Sequence, residues 1–569
     1  MTLQGSIQIL SVVAIILVLG IPLGGYLYRV FTGQRSWFEG VFAPFERVLY
    51  RLVGINPAVE MDWKSYLKPL LLVNFVMMLF VYVIFRLMGH LPLNPDHHTA
   101  SMPWALAFNT AASFITNTNW QNYAGESSMT YLGQMMAITY LQFTSAATGF
   151  VAAIAFVRGL VNNKSPFIGN FWVDFIKVHT RIFLPFATVF ALILVGLGLP
   201  ETLQGALTVH TLQGATQTIS RGPVASLEAI KQLGTNGGGF FNANAAHPFE
   251  GPSALTTVLE IIAMGVFPTA LIATFGRFLR NRKMATVLYV FLTGMLLLGA
   301  FLVYGSEAAG NPILQHTLGI SGPNMEGKEV RFGLPLTSLF VAATTAYTTG
   351  AVNAMHDSLT PMGGFVPLLF MMFNMVFGGK GVGLLNIIMF LLITVFLSGL
   401  MVGRTPEIFG KKIEAREIKL ATMAMLVHPF VILVPTAIAV ATGVGTSSMA
   451  NPYLHGFSEV LYAFSSAAAN NGSAFAGLSG NTTFYNVSLG LVILLGRYIS
   501  MIAMFAIAGS LAKKAVIPES PGTLKTDTFS FGWVFIAVVV IVGALTFFPA
   551  LSMGPIGEQI QMWAGQLSR

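Results

Sequence analysis

The chain has 569 residues and not one cysteine. Disulfides, thiolate metal sites and cysteine nucleophiles are excluded together. Charge is scarce as well: Asp, Glu, Lys and Arg make up 9% of the residues, against about 25% in soluble domains. No polar stretch is long enough to fold a nucleotide-binding domain, and no GxxxxGK[ST] loop occurs. The segment GTLKTDT at 522–528 echoes phosphate-binding sequences without that spacing. HExxH and paired-histidine spacings are also missing, so His247 reads as a loop residue and not a metal ligand. These absences argue against an enzyme, and against ATP hydrolysis in particular.

What remains is apolar: 54% of the chain is hydrophobic. Windows of about 20 apolar residues, each long enough to cross a bilayer, recur along it and predict an all-α polytopic membrane protein. Ten spans are expected near 6–30, 66–89, 130–157, 171–199, 254–278, 284–304, 359–403, 419–444, 484–511 and 529–551. The first lacks a basic leader and a clear cleavage site, and reads as a retained span. The seventh is too long for one straight helix and carries FGGKGVG at 377–383, which predicts a break inside the membrane. The net charge of +8 sits in short basic clusters between spans, GRFLRNRK at 276–283 and GRTPEIFGKKIEAREIK at 403–419 among them. These read as cytoplasmic topology signals, with the lipid bilayer and not nucleic acid as the partner. Residues 91–130 hold no lysine or arginine, which predicts an external loop and both termini outside.

Four short segments interrupt this pattern: WALAFNTAASFITNTNWQ (104–121), VASLEAIKQLGTNGGGFF (224–241), LTSLFVAATTAYTTGAV (336–352) and FSEVLYAFSSAAANNGSAF (457–475). Each looks helical at first, is too short to cross, and ends in a Thr/Asn/Gly cluster. The clusters recur at about 113 to 122 residues, a period that signals repeated architecture. The chain therefore reads as four pseudo-symmetric helix–pore loop–helix repeats with one flanking helix at each end. The expected boundaries are 1–65 for the first helix and its linker, 66–160, 161–280, 281–415 and 416–514 for the repeats, and 515–569 for the last helix.

Four re-entrant loops can converge on one axis, where carbonyl oxygens replace the water shell of a cation. Glycine allows the dihedrals this needs. Aligning TNTN, TNGG, TTGA and NNGS puts Thr118, Gly237, Gly350 and Gly472 at one level. Thr116, Asn117, Thr235, Asn236, Thr348, Thr349, Asn470 and Asn471 can add oxygen ligands or brace the loops from behind. No acidic ring occurs at this level, and a neutral oxygen cage suits a weakly hydrated monovalent cation such as potassium. On the residues alone, a potassium channel or an ion-coupled symporter is an equal reading, and a scaffold without transport is a third.

The motifs FITNTNWQNYAGE, AIKQLGTNGGGFFNANAAHPFE, NMEGKEVRFG, MHDS, GRTPEIFGKKIE and EVLYAFSSAAANNGSAFAGL resemble the potassium-binding A subunits of Kdp-type potassium-transporting ATPases over nearly the whole chain. That resemblance implies a bacterial cell-membrane subunit of the potassium transporter superfamily. It implies that external potassium is bound in the filter and passed through an intramembrane tunnel to a P-type ATPase B subunit. A C subunit and a small F peptide complete such complexes, and no organic cofactor is implied. The filter positions it implies are Thr116 to Asn119 (Asn119 included), Thr235 to Gly237, Thr348 to Gly350 and Asn470 to Gly472. Gln121 matches a position at the filter mouth, and Arg497 an arginine below it. The chain departs from many relatives in FNMVFGG, where Asn374 stands near the place of a glutamate and Lys380 follows.

Arg497 lies in an apolar run, so it is expected to face the bundle interior. It reads equally as a positive barrier under the filter or as an anchor for the pore loops. Lys380 reads as a gate, or else snorkels to the interface. Glu228 and Lys231, three apart on a helix, can pair and brace. His356-Asp357-Ser358 spells a catalytic trio, but neighbouring side chains diverge whereas working triads are assembled from distant positions.

Overall fold

The computed structural model describes residues 1–95, 99–379, 382–403, 406–518 and 524–566. Among these, ten helices are long and apolar enough to cross a membrane: Leu3–Thr32, Trp63–His90, Gly133–Val161, Phe171–Gly196, Ala254–Phe278, Arg282–Leu318, Val382–Met401, Ala415–Ala441, Thr483–Ala512 and Phe529–Trp563. The fold is the expected all-α polytopic one. Four further buried helices, Trp104–Ile115, Val224–Leu233, Gly333–Ala346 and Tyr453–Ala469, have 12, 10, 14 and 17 residues. All are shorter than the roughly 20 residues a crossing needs. Each lies between two spans and ends at one of the four polar clusters. We call them the pore helices.

The spans divide by burial. In the third span 89% of the most apolar window is buried, against 28% in the second, so the third runs through the middle of the bundle. Its sequence explains this: Gln134, Gln142, Thr144, Ser145 and Thr148 are all buried along it, and lipid offers such groups no partner. The first span packs along the fifth through small residues. A side chain on Gly20 would meet Thr269, and one on Gly24 would meet the carbonyl of Ala270 and the Ala273 methyl. Lipid supplies no hydrophobic force between helices, so close backbone approach of this kind holds them together.

Residues 359–403 form two helices. Pro361–Phe373 stops at Asn374, which caps it in the left-handed region at φ 47°, and Val382–Val402 follows. Lys380, read from the sequence as a gate, falls outside the described residues. The fourth span carries a π-helical turn, Val178–Phe183, and the third begins with one, Gly133–Thr139. Beyond the expected elements, an amphipathic helix Glu39–Val53 follows the first span. A hairpin pairs Leu207–His210 with Thr216–Ile219 ahead of the second pore helix.

Candidate functional site

The four pore helices end around a common point. Their C-termini carry the partial negative charge of unpaired carbonyls, which favours a cation where they meet. Each then makes the same turn. The amides of Thr118, Asn236, Thr349 and Asn471 bond to the carbonyls of Ser113, Lys231, Thr344 and Ser466, at 3.0, 2.8, 2.7 and 2.9 Å. The residues just before those amides, Asn117, Thr235, Thr348 and Asn470, all take positive φ, between 42° and 65°.

This pattern corrects the register expected for the first loop. Thr116 belongs to the helix end, with φ −94° and ψ 5°, like Gly234 and Tyr347 in the second and third loops. Its hydroxyl turns back to the carbonyl of Ala112 at 2.8 Å. Asn119, not Thr118, therefore stands level with Gly237, Gly350 and Gly472. Asparagine is among the side chains best able to tolerate the φ of 59° found at Asn119. The one-residue slip arose because two Thr-Asn pairs stand in tandem in TNTN, and composition alone cannot say which pair begins the turn.

The three equivalent carbonyls converge. A methyl group built on Gly237 would lie 3.0 Å from the carbonyl oxygen of Thr118, 3.1 Å from that of Asn471 and 3.1 Å from that of Thr349. Those atoms come from three different loops and surround one point. A side chain on Gly350 would collide with the carbonyl of Asn471, and one on Gly472 with that of Thr118. The third loop thus abuts the fourth, the fourth abuts the first, and Gly237 faces them all. Every one of the thirteen expected filter residues from Thr116 to Gly472 lies in this ring or its turns.

Side chains brace the ring from behind. Asn117 donates to the carbonyl of Thr235 at 2.7 Å, and Asn470 donates to the hydroxyl of Thr118 at 3.0 Å. Asn471 donates to the carbonyl of Thr344 at 2.9 Å. From the third span, Ser145 donates to the Asn117 carboxamide oxygen at 3.0 Å, while Asn236 donates to the carbonyl of Gln142 at 3.2 Å. Three pore-helix hydroxyls close the individual turns: Ser113 donates to the carbonyl of Trp120 at 3.0 Å, Thr344 to that of Ala351 at 2.5 Å, and Ser466 accepts from the amide of Gly472 at 2.9 Å. Sequence reasoning missed these three, although each stands four positions before the positive-φ residue. In the second loop Lys231 holds that place. Its ammonium pairs with Glu228, with Glu250 at 2.6 Å and with Asn244 at 3.0 Å, and Glu250 accepts from the amide of Phe241 at 2.8 Å. Glu228 and Lys231 brace, as expected, with Glu250 as an unforeseen third member.

Gln121 spans the first and second loops at the mouth. Its amide nitrogen donates to the carbonyl of Gly239, and its oxygen accepts the amide of Gly239, both at 3.0 Å. Below the ring, Asn374 accepts from the hydroxyl of Thr348 at 3.3 Å and donates to the carbonyl of Ala469 at 3.4 Å. It also lines an internal cavity of about 40 Å³ with Asn386, His428, Asn470 and Ser500. Arg497 is buried and donates to the carbonyl of Ser145 at 3.2 Å. None of the described carboxylates pairs with it. His356 turns to Tyr462 at 2.8 Å and Asp357 to His455 at 3.2 Å, so the apparent catalytic trio diverges. His247 stacks on Phe241, ring centroids 3.7 Å apart.

Residues 10–560 match the family model described as potassium-transporting ATPase A subunit. The potassium-transporting ATPase potassium-binding subunit of Alicyclobacillus acidocaldarius is 69% identical over 562 residues, covering 99% of this chain and all of the relative. Its namesake from Caldanaerobacter subterraneus is 52% identical over 98% of the chain and all of the relative, and that from Mesorhizobium japonicum 51% over the whole of both. Among solved structures, the potassium transporter TrkH from Vibrio parahaemolyticus superposes with a TM-score of 0.50 at 14% identity. The superposition covers 89% of this chain and 98% of that one, a likeness of fold.

Proposed function

The chain belongs to the family of potassium-transporting ATPase A subunits, and from that membership we propose that it selects external potassium in the four-loop ring and delivers it within the membrane to an ATP-hydrolysing partner. The observation that carries this reading is the set of three carbonyl oxygens, one from each of three loops, within 3.1 Å of a single point beside Gly237. A potassium ion there exchanges its water shell for main-chain oxygens. The pore-helix C-termini add a favourable field without a fixed charge, so the ion is held by dipoles that do not depend on protonation. The bracing from Asn117, Asn470, Asn471 and Ser145 keeps the ring from shrinking onto a smaller ion.

Beneath the ring, Arg497 faces the permeation path with a positive charge that no carboxylate among the described residues pairs with. It opposes straight passage to the far side and turns the ion sideways, past Asn374 and into the cavity lined by Asn386 and Ser500. Where many relatives carry a glutamate, this chain offers the neutral carboxamide of Asn374, so the ion leaves the filter by exchange between oxygen dipoles rather than by attraction to a carboxylate. Energy comes from a P-type ATPase B subunit, with a C subunit and a small F peptide completing the complex. It sits in the bacterial cell membrane with both termini outside.

The test is equilibrium potassium binding to the purified chain, with sodium and rubidium as competitors. The wild type is expected to prefer potassium and rubidium over sodium. Gly237→Ala, which puts a methyl group where the three oxygens converge, is expected to weaken potassium binding at least tenfold. Unchanged affinity in that variant refutes the site.

A further inference from the structure

On the side where the pore helices begin, away from the filter, three ligand-type side chains meet. Asp357 lies in the short turn His356–Ser358 after the third filter loop. His455 and Glu459 project from one face of the fourth pore helix, Tyr453–Ala469. One ligand atom from each, two carboxylate oxygens and an imidazole nitrogen, lies within 4.8 Å of the other two. We propose that Asp357, His455 and Glu459 form a binding site for a divalent transition-metal ion of zinc type, with Glu558 orienting the histidine.

Four observations carry this. Glu459 is fully buried. One of its oxygens, Oε1, accepts from Asn451 at 2.7 Å, while Oε2 has no hydrogen-bond partner among the described residues. A buried carboxylate oxygen left unmatched costs free energy unless a proton or cation meets it. The histidine has the geometry of a metal ligand supported from behind: Nδ1 stands 2.8 Å from Glu558 Oε2 and Nε2 3.2 Å from Asp357 Oδ1. A ligating histidine ordinarily donates its other ring N–H to a carboxylate in this way. Glu558 is itself held by the hydroxyl of Ser458. The space between the two carboxylates is kept open by Gly477, since a side chain there would collide with Glu459 Oε1 and lie 2.6 Å from Asp357 Oδ2. Finally, Asp357 and His455 border an open cavity of about 340 Å³ that Asn451 and Glu558 also line, which gives an entry path and room for a water ligand.

Two carboxylates and one imidazole suit zinc or a neighbouring first-row ion better than magnesium or calcium, which take oxygen ligands. Without an ion, a proton on Nε2 bridges His455 and Asp357. On binding, that proton leaves to solvent and the metal takes its place. The bound ion ties the third filter loop's exit to the start of the fourth pore helix.

The full chain, untagged and in lipid nanodiscs, is titrated with zinc against a fluorescent chelator in excess magnesium, and separately with cobalt(II) followed by its visible absorption. One equivalent of zinc is expected to bind, and to raise the thermal unfolding temperature. Affinity is expected to fall at least tenfold in Glu459→Gln, in His455→Gln and in Gly477→Ala, which removes no ligand but fills the gap. The wild-type cobalt spectrum is expected to depart from that of the aqueous ion, a readout that stands even where a variant fails to fold. Failure of the wild type to bind saturably, a cobalt spectrum of the aqueous ion, or equal affinity in every folded variant overturns the proposal.

Discussion

Ser113, Thr344 and Ser466 show how small a signal can position a site. Each hydroxyl holds a carbonyl or an amide of its own turn; all three are buried, as are the partners Trp120 and Ala351, while Gly472 is half-buried. Removing one leaves a buried group unmatched, at a cost of roughly 1–3 kcal/mol. Ser113→Ala is therefore expected to lower stability by about that amount, read by thermal unfolding in detergent. It is also expected to narrow the preference for potassium over sodium, because the carbonyl of Trp120 is freed beside the ring. Stability and selectivity both at wild-type values would show that the turn holds without the hydroxyl. Lys231, in the equivalent position of the second loop, achieves the same end with an ion-pair cluster. A serine and a lysine in register look unrelated by residue type, and only the shared backbone turn reveals that they occupy one role.

Among the elements, the amphipathic helix Glu39–Val53 has one deep attachment. Glu46 is buried and accepts from Arg181 Nε at 2.7 Å and from Thr180 at 2.7 Å, and it pairs with Arg181 Nη2 at 2.5 Å. Both donors lie in the π-helical turn Val178–Phe183; such wide turns are frequent at functional sites. Here the turn presents both donors to one carboxylate. Burial pushes the Glu46 carboxyl up, but hydrogen bonds from Arg181 and Thr180 and the guanidinium charge outweigh it and hold the carboxyl below the ordinary glutamate value of 4.5. A carboxylate lowered on folding contributes stability that is complete above its unfolded pKa and is lost as pH falls through the folded one. The attachment is thus expected to hold from neutral pH down to about 4.5 and to fail below it. Glu46→Ala leaves the buried guanidinium only the longer pairing with Glu39 at 3.9 Å, and a loss approaching about 3–5 kcal/mol is expected. Thermal unfolding against pH checks both: the wild type should lose stability at acid pH, and the variant should show a flatter profile over that range.

At the level of the whole molecule, the proposed function separates selection from energy supply. In that reading the ring selects, and Arg497, which donates a hydrogen bond to Ser145, guards the route straight through. Reconstituted alone in vesicles, the chain is expected to pass no steady potassium current. Arg497→Met is expected to open a leak measurable as potassium flux down its gradient. A steady current through the wild-type chain by itself would favour the self-sufficient channel instead. A tight Arg497→Met would leave the arginine as an anchor of the third span, holding Ser145 beneath Asn117.

The number of spans, the break near 377–383 and the four quasi-repeated loops were all legible in the sequence, because hydropathy and period are local properties that lipid enforces on every helix. Convergence of the loops could be argued from their number and spacing. The level at which each residue stands could not, since TNTN admits two registers and only the hydrogen bonds of the first turn choose Asn119 over Thr118 as the partner of the glycines. Glu250 behind Lys231, Glu46 beneath Arg181 and Glu459 opposite Asp357 are likewise decisions of the tertiary structure. A buried charge finds its partner through space, at sequence separations that no periodicity records.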